Sequence, residues 1–196
     1  KRSGDMQILE QGGKEVIRSC ALFFEQRMLY ECGGRTILGS CTDMERLGEH
    51  RRNPFMTTCA AIALFRTAAE FADSPADAGH YRDLAHRLEA GLPVENGRFV
   101  AYSGGPSASI GLLGGFYPYA VLSPRNELAL AALDSFVASE RQVGNMYDTG
   151  NGVCAWYRLW KCMACLYAGR RETAESELEL LLAETGCWGE LFEIYE

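Results

Sequence analysis

NPFMTTCAAIALFRTAAEFADSPADAGHYRDLAHRLEA, residues 53–90, decides the fold. Its first half is apolar nearly all round. Phe55, Met56, Cys59, Ala60, Ala61, Ile62, Leu64 and Phe65 leave no polar face, as in a helix covered on every side. Asn53-Pro54 ahead of it is a cap residue followed by proline at the first helical position, which predicts a helix over 53–72. Ser74-Pro75 repeats the signal and opens a second helix reaching residue 90. That one is two-sided, with Tyr81, Leu84, Ala85 and Leu88 opposite Asp77, Arg82, Asp83, Arg87 and Glu89. An inner helix joined by a short turn to a half-exposed outer one is a helical hairpin.

The same pairing recurs downstream. After a glycine-rich stretch from Gly97 to Gly105, residues 110–121 read as a weak apolar helix carrying Gly111, Gly114, Gly115 and Pro118. Its partner starts at Ser123-Pro124 and runs to 140. A loop over 141–150 leads into an apolar stretch over 151–168, with Val153, Cys154, Trp156, Leu159, Trp160, Met163 and Leu166. An acidic, two-sided helix then runs to 184, and Gly186 closes it. Three hairpins at variable spacing are a structural repeat. Upstream, Val16, Ile17, Cys20, Phe23, Phe24, Met28 and Leu29 give a helix over 14–31, ended by Gly33-Gly34 and followed by an extended piece over 35–41. The fold class is therefore all-α, a single domain over 1–196 with hairpins over 53–90, 110–140 and 151–185.

The chain has 196 residues, with 19 Lys+Arg against 26 Asp+Glu and a net charge of −7. This balance disfavours nucleic-acid and anionic-membrane surfaces, since neither steering nor counterion release would assist them. No apolar run approaches the ~18 residues of a membrane span, and no leader pattern follows Lys1. The expectation is a cytoplasmic protein with neither nucleic-acid nor membrane partners. Lacking an initial Met and ending on Ile194-Tyr195-Glu196, it is expected to be a piece of a longer protein. The eight cysteines mostly sit in apolar helical stretches. Cys162-x-x-Cys165 lacks a second ligand pair, so reduced core thiols are expected, with no metal and no cofactor.

If the inner helices run roughly parallel, the segments leading into them share one rim: 41–52, 101–109, 143–151 and, after the last outer helix, 187–196. These segments hold carboxylates (Asp43, Glu45, Glu190, Glu193) with Arg46, Arg52, Tyr102, Asn145, Tyr147 and Trp188. Aromatic faces stack on sugar rings, amides and guanidinium groups bracket hydroxyls, and two carboxyls can hydrolyse a glycosidic bond. No serine elbow, P-loop or Cys–His pair competes with that reading.

Here the chain resembles the six-hairpin (α/α)₆ toroid of glucoamylases and of maltose and kojibiose phosphorylases. In the phosphorylases a loop bearing the acid Glu precedes an Asn-Asn-x-Tyr-Thr helix start. Thr42-Asp43-Met44-Glu45-Arg46 precedes Arg52-Asn53-Pro54-Phe55-Met56-Thr57 with the matching offset from Glu45 to Asn53. Glucoamylases carry Gly-Leu-Leu-Pro-Glu, whose Glu is the base, and Gly186-Cys187-Trp188-Gly189-Glu190 is similar in length and ending. The resemblance implies about half a toroid in this chain, completed by further hairpins of a longer chain or by a homo-oligomer. It implies an inverting glycoside hydrolase or disaccharide phosphorylase acting on oligosaccharides, with Glu45 or Asp43 as acid and Glu190 or Glu193 as base. The alternative is a non-catalytic hairpin module binding a sugar or a protein through the same rim. Plainer roles stand beside each candidate: Asp43 or Glu45 capping the helix near Asn53, Glu190 and Glu193 solvated, and Arg52 in an ion pair. Trp156, Trp160, Tyr117 and Tyr119 would then be core packing, and His50, His80 and His86 surface residues.

Overall fold

The computed structural model describes residues 6–44, 47–139, 142–143, 146–148 and 153–191, with the backbone alone for 142–143, 146–148 and 153. A π-helical turn over Leu9–Gly13, kinked where Gly12 takes φ +107°, leads into α1 (Lys14–Phe23) and a second π turn over Phe24–Met28. The helical run stops at Met28. Leu29–Cys32 is β1, paired antiparallel with β2 (Arg35–Leu38) in the register Leu29↔Leu38 and Cys32↔Arg35. The expected helix over 14–31 is thus shortened, and the reason lies in the turn. Gly33 and Gly34 both have positive φ, 57° and 75°. Two successive left-handed residues make a two-residue hairpin turn, whereas a helix C-cap needs one.

The first hairpin of helices is α2 (Phe55–Glu70) and α3 (Pro75–Ala90). Ser74 caps α3 as expected, accepting from the Asp77 N–H at 3.1 Å and donating its hydroxyl to the Asp77 carboxylate at 2.7 Å. Asn53 does not cap α2. It sits at φ +49°, 4% exposed, and its Nδ2 donates 2.9 Å to the Gly91 carbonyl, tying the entry of α2 to the end of α3. Pro54 takes the cap position, and no side chain of its own caps the helix. Gly91 admits this junction because any Cβ there would lie 1.9 Å from the Thr36 carbonyl oxygen of β2.

A short hairpin follows, β3 (Val94–Glu95) and β4 (Arg98–Phe99), turned by Asn96-Gly97, both at positive φ. The weak helix expected over 110–121 is a 3-10 helix, Ile110–Gly115, capped by the Ser109 hydroxyl. Glycines at 111, 114 and 115 each cost about 1 kcal/mol in an α-helix relative to alanine, and Pro118 cannot extend one. All six of its residues are buried. Then come α4 (Glu127–Val137), capped by Asn126 and not by Ser123, and an antiparallel meander of β5 (Gln142–Val143), β6 (Met146–Asp148) and β7 (Val153–Cys154). The last hairpin is α5 (Trp156–Tyr167) and α6 (Arg171–Ala183).

The molecule is therefore mostly helical, with small antiparallel sheets beside the helices. The order of burial within each pair holds. α2 buries eight residues against five on α3, and α5 buries seven against two on α6. Phe55, Phe65, Phe116 and Phe136 are nearly inaccessible to solvent and bring α2, the 3-10 helix and α4 into one core. Each contributes about 1.5–3 kcal/mol of burial. Among the described residues, no helix is long and apolar enough to cross a membrane.

Candidate functional site

The rim is built by two laced loops. Cys41 and Arg51 exchange backbone hydrogen bonds at 2.9 and 3.2 Å, which closes the segment between them. The Ser103 N–H donates to the Arg52 carbonyl at 3.0 Å, and the Phe55 N–H to the Ala101 carbonyl at 2.8 Å. The 41–52 and 101–109 segments thus meet at the start of α2. Arg51, not singled out from sequence, lies with its guanidinium carbon 4.7 Å from the centroid of Tyr102. Its Nε also donates to the Leu47 carbonyl.

Asp43 sits where the rim meets the first turn of α2. One carboxylate oxygen accepts from the Thr57 N–H and the Thr57 hydroxyl, both at 2.7 Å; the other accepts from the Met56 N–H at 3.4 Å. It supplies the α2 cap that Asn53 does not. Gly111 packs beside it: a Cβ there would stand in ordinary contact with the Asp43 carboxylate at 3.8 Å and closer to the Met44 sulfur, at 3.3 Å. Burial pushes the Asp43 carboxyl above its ordinary range, and the hydrogen bonds from Thr57 and Met56 pull the other way without cancelling the rise. Burial also raises the Tyr119 phenol, with Cys59 and Asp43 adding to it. Burial raises the Cys41 thiol too, against a hydrogen bond with Thr57. At this position the carboxylic acid keeps its proton more readily than in water. Sequence reading passed over Thr57 as a ligand of Asp43, although a threonine at the third helical position is where a cap acceptor finds both an N–H and a hydroxyl.

The other candidates scatter. Arg52 is exposed, and its Nη2 donates to the Cys32 sulfur at 2.9 Å, toward the β1–β2 turn. Tyr102 is half-buried beneath Arg51. Trp188 is 89% exposed. Glu190 closes its own turn: its carboxylate accepts from the Trp188 N–H at 2.9 Å, and its carbonyl accepts from the Gly186 N–H at 2.9 Å. A Cβ at Gly186 would lie 2.3 Å from that carboxylate, so a larger residue there would push the Glu190 side chain aside. Glu45, Arg46, Asn145 and Glu193 lie outside the described residues, and for Tyr147 only its strand position in β6 is described. Among the described residues, the Asp43 carboxylate is engaged by α2 and the Glu190 carboxylate by its own turn.

Cys154, Cys162 and Cys165 are buried and form no disulfide, as expected of core residues. Burial pushes Cys165 up to about 11, and the Cys162 thiol donates to the Ala174 carbonyl at 3.1 Å. Cys20, Cys32 and Cys187 are exposed and do not belong to the core. Among the described residues, no three His, Cys, Asp or Glu side chains are grouped to hold a metal ion. His50, His80 and His86 are at the surface, with His80 2.8 Å from the Glu25 carboxylate. Trp160 is buried and donates its indole N–H to the Tyr117 carbonyl, while Trp156, 38% exposed, stacks on it at 5.0 Å. No protein-family model, no curated protein and no solved structure gives a significant match to the chain.

Proposed function

We propose that the rim is the active site of a carbohydrate-active enzyme, an inverting glycoside hydrolase or disaccharide phosphorylase, and that the hairpins are part of an α/α toroid. The observation that carries this is Asp43: a carboxyl whose burial favours its protonated form, placed among loop residues at the mouth of the inner helix α2. A glycosidic acid must hold its proton until the leaving oxygen takes it. Tyr102, Arg51 and Arg52 on the same loops supply a ring face and guanidinium donors for sugar hydroxyls. Glu45, two residues on, is the alternative acid; Glu190 or Glu193 is the base, and Glu190 must leave its turn to act.

The test is turnover of aryl glycosides and disaccharides, with and without inorganic phosphate. Asp43→Asn is expected to lower kcat by at least about 100-fold while the amide oxygen still caps α2. If Glu45→Gln is the inactive variant and Asp43→Asn is not, the acid is Glu45. Absence of turnover together with saturable oligosaccharide binding would leave the binding-module reading in its place. One observation favours that second reading: both Asp43 oxygens and the Glu190 carboxylate are already engaged by backbone N–H groups.

A further inference from the structure

The helices pack in series: α1 on α2, α2 on the 3-10 helix, the 3-10 helix on α5, and α5 on α6. Each end of that array carries an exposed apolar face. On α1, Val16, Cys20 and Phe23 recur at i, i+4 and i+7, with Val16 62% and Phe23 55% exposed. Tyr30 continues this face; it is 56% exposed, and its hydroxyl turns back to donate to the Arg27 carbonyl at 3.4 Å. Of α1 itself, Ala21 alone is buried.

The face at the far end is shared by two helices. Leu159, Met163 and Leu166 repeat the same spacing on α5, and Leu178 and Leu182 stand four apart on α6. The four leucines are 42–58% exposed. α5 meets α6 through Arg158, Lys161 and Cys162, which reach Glu177 and the Ala174 carbonyl. Leu159 and Met163 lie one residue beyond Arg158 and Cys162, and Leu178 lies one beyond Glu177. In an antiparallel hairpin that step of about 100° turns both sets toward the same side, so the leucines form one face.

Stacked hairpins stay single in water where their end faces are polar, and these two are not. Each offers roughly 400–500 Å² of apolar surface, near the largest patch that a monomer ordinarily carries. Their charges differ in sign. Arg27, exposed on the turn that continues α1, has no ion-pair partner among the described residues. Glu175 and Glu179 edge the α5–α6 face; Glu175 is held by Arg171 at 2.7 Å, and Glu179 has no partner among the described residues. Two α5–α6 faces brought together would oppose like charges, whereas α1 against α5–α6 joins opposite ones.

We propose that the chain pairs with a second copy of itself head to tail, the α1 face of one copy seated on the α5–α6 face of the other. Within one copy, α2, the 3-10 helix and α5 stand between the two faces, so the contact is made between copies. A single contact is at the small end of specific interfaces. A pair closed by two of them covers both faces of each copy and reaches the ~800 Å² per partner of a standard interface. The proposal does not depend on the reading of the rim at Asp43.

The experiment is sedimentation equilibrium of the purified chain from about 0.5 to 500 µM, beside two double variants. Val16→Glu/Phe23→Glu charges the α1 face, and Leu159→Glu/Leu182→Glu charges the α5–α6 face. All four positions are exposed, so in dilute solution, where both faces meet water, the variants should melt with the parent. The parent is expected to move from the monomer mass to twice that mass, with a midpoint on the order of 10 µM. Each variant alone should stay monomeric. Mixed in equal amounts, they should form a one-to-one pair that grows no further and is at least about tenfold weaker than the parent's, one contact replacing two. Parent mass growing past the pair would support the same contact in an open chain. A parent that stays monomeric throughout would overturn the proposal, as would either variant associating like the parent or a mixture with no pair.

Discussion

The α2–α3 and α5–α6 hairpins read alike in sequence and bury opposite things. α2 turns Phe55, Cys59, Ala61, Ile62, Phe65, Ala68 and Ala69 into the core, and α3 answers with Tyr81, Leu84, Ala85 and Leu88. α5 turns inward a face that carries charge. Arg158 and Lys161 are 6% and 3% exposed, and both reach Glu177 of α6, Lys161 at 2.8 Å. Trp156, Leu159, Leu166 and Tyr167 remain 37–53% exposed on the outer side. The apolar residues that mark a stretch as an inner helix say how much hydrophobic surface it carries, not which neighbour covers it. In the first hairpin the core covers it, while in the second part of it faces out beside Leu178 and Leu182. A buried ion pair demands geometry more than it supplies stability, so the second hairpin adds to its buried apolar area a dependence on three charged side chains that the first lacks.

That contrast is broken most forcefully at Glu177. Glu177→Gln leaves two buried cations facing a neutral amide, with the Arg158 Nε already lacking a partner among the described residues. A loss of about 3–5 kcal/mol is expected in urea unfolding, because breaking such a cluster strands charge that cannot return to water. Replacing all three residues together by Leu and Met should restore stability to the parent level or above it. A Glu177→Gln variant within 1 kcal/mol of the parent would mean that water reaches the cluster and that the hairpins are alike after all.

How far the fold was legible follows from the same contrast. The Ser74-Pro75 cap was legible because hydroxyl, proline and Asp77 act within one turn of chain. Asn53-Pro54 carries the same signature, yet Asn53 was diverted by a distant carbonyl, Gly91, which no local pattern contains. Gly33-Gly34 was seen as a stop, and its two positive φ values make it a hairpin turn. Asn96-Gly97 announces a hairpin outright, but strands of two residues leave no alternation on either side to read. The inward placement of Arg158 and Lys161 was illegible because their partner, Glu177, lies on the next helix. At the rim, the 41–52 and 101–109 loops meet through backbone hydrogen bonds at Arg52 and Ala101. The cap role weighed for Asp43 or Glu45 falls in the structure to Asp43, whose carboxylate meets the N–H groups of Met56 and Thr57.

A milder pair of substitutions sharpens the comparison. Ile62 on α2 is 0% exposed, and Leu159 on α5 is 43% exposed. Ile62→Val removes one methylene and should cost about 0.5–1.5 kcal/mol through the void it leaves. Leu159→Ser is far more drastic chemically and should change stability by less than about 0.5 kcal/mol. Thermal unfolding of the two variants side by side checks this. A larger loss for Leu159→Ser would show that another surface covers the outer stripe of α5.

The smallest effect is expected at Asp43, a half-buried carboxylate with hydrogen bonds but no cation among the described residues, in contrast to Glu177 with two. Burial raises the Asp43 pKa in the folded chain above its ordinary value. Between those two values the native state binds more protons than the unfolded one, so stability falls as pH rises through that window. Below it both states are protonated, and the difference between Asp43→Asn and the parent is set only by the amide's fit against Thr57 and Met56. Above it the parent holds a carboxylate that burial disfavours, and the variant does not. Measured by urea unfolding from pH 3 to pH 7, Asp43→Asn should therefore gain on the parent as pH rises and then run level. If the parent gains instead, the three hydrogen bonds from α2 outweigh burial, and Asp43 is a charged helix cap, unsuited to hold a proton for an acid's work.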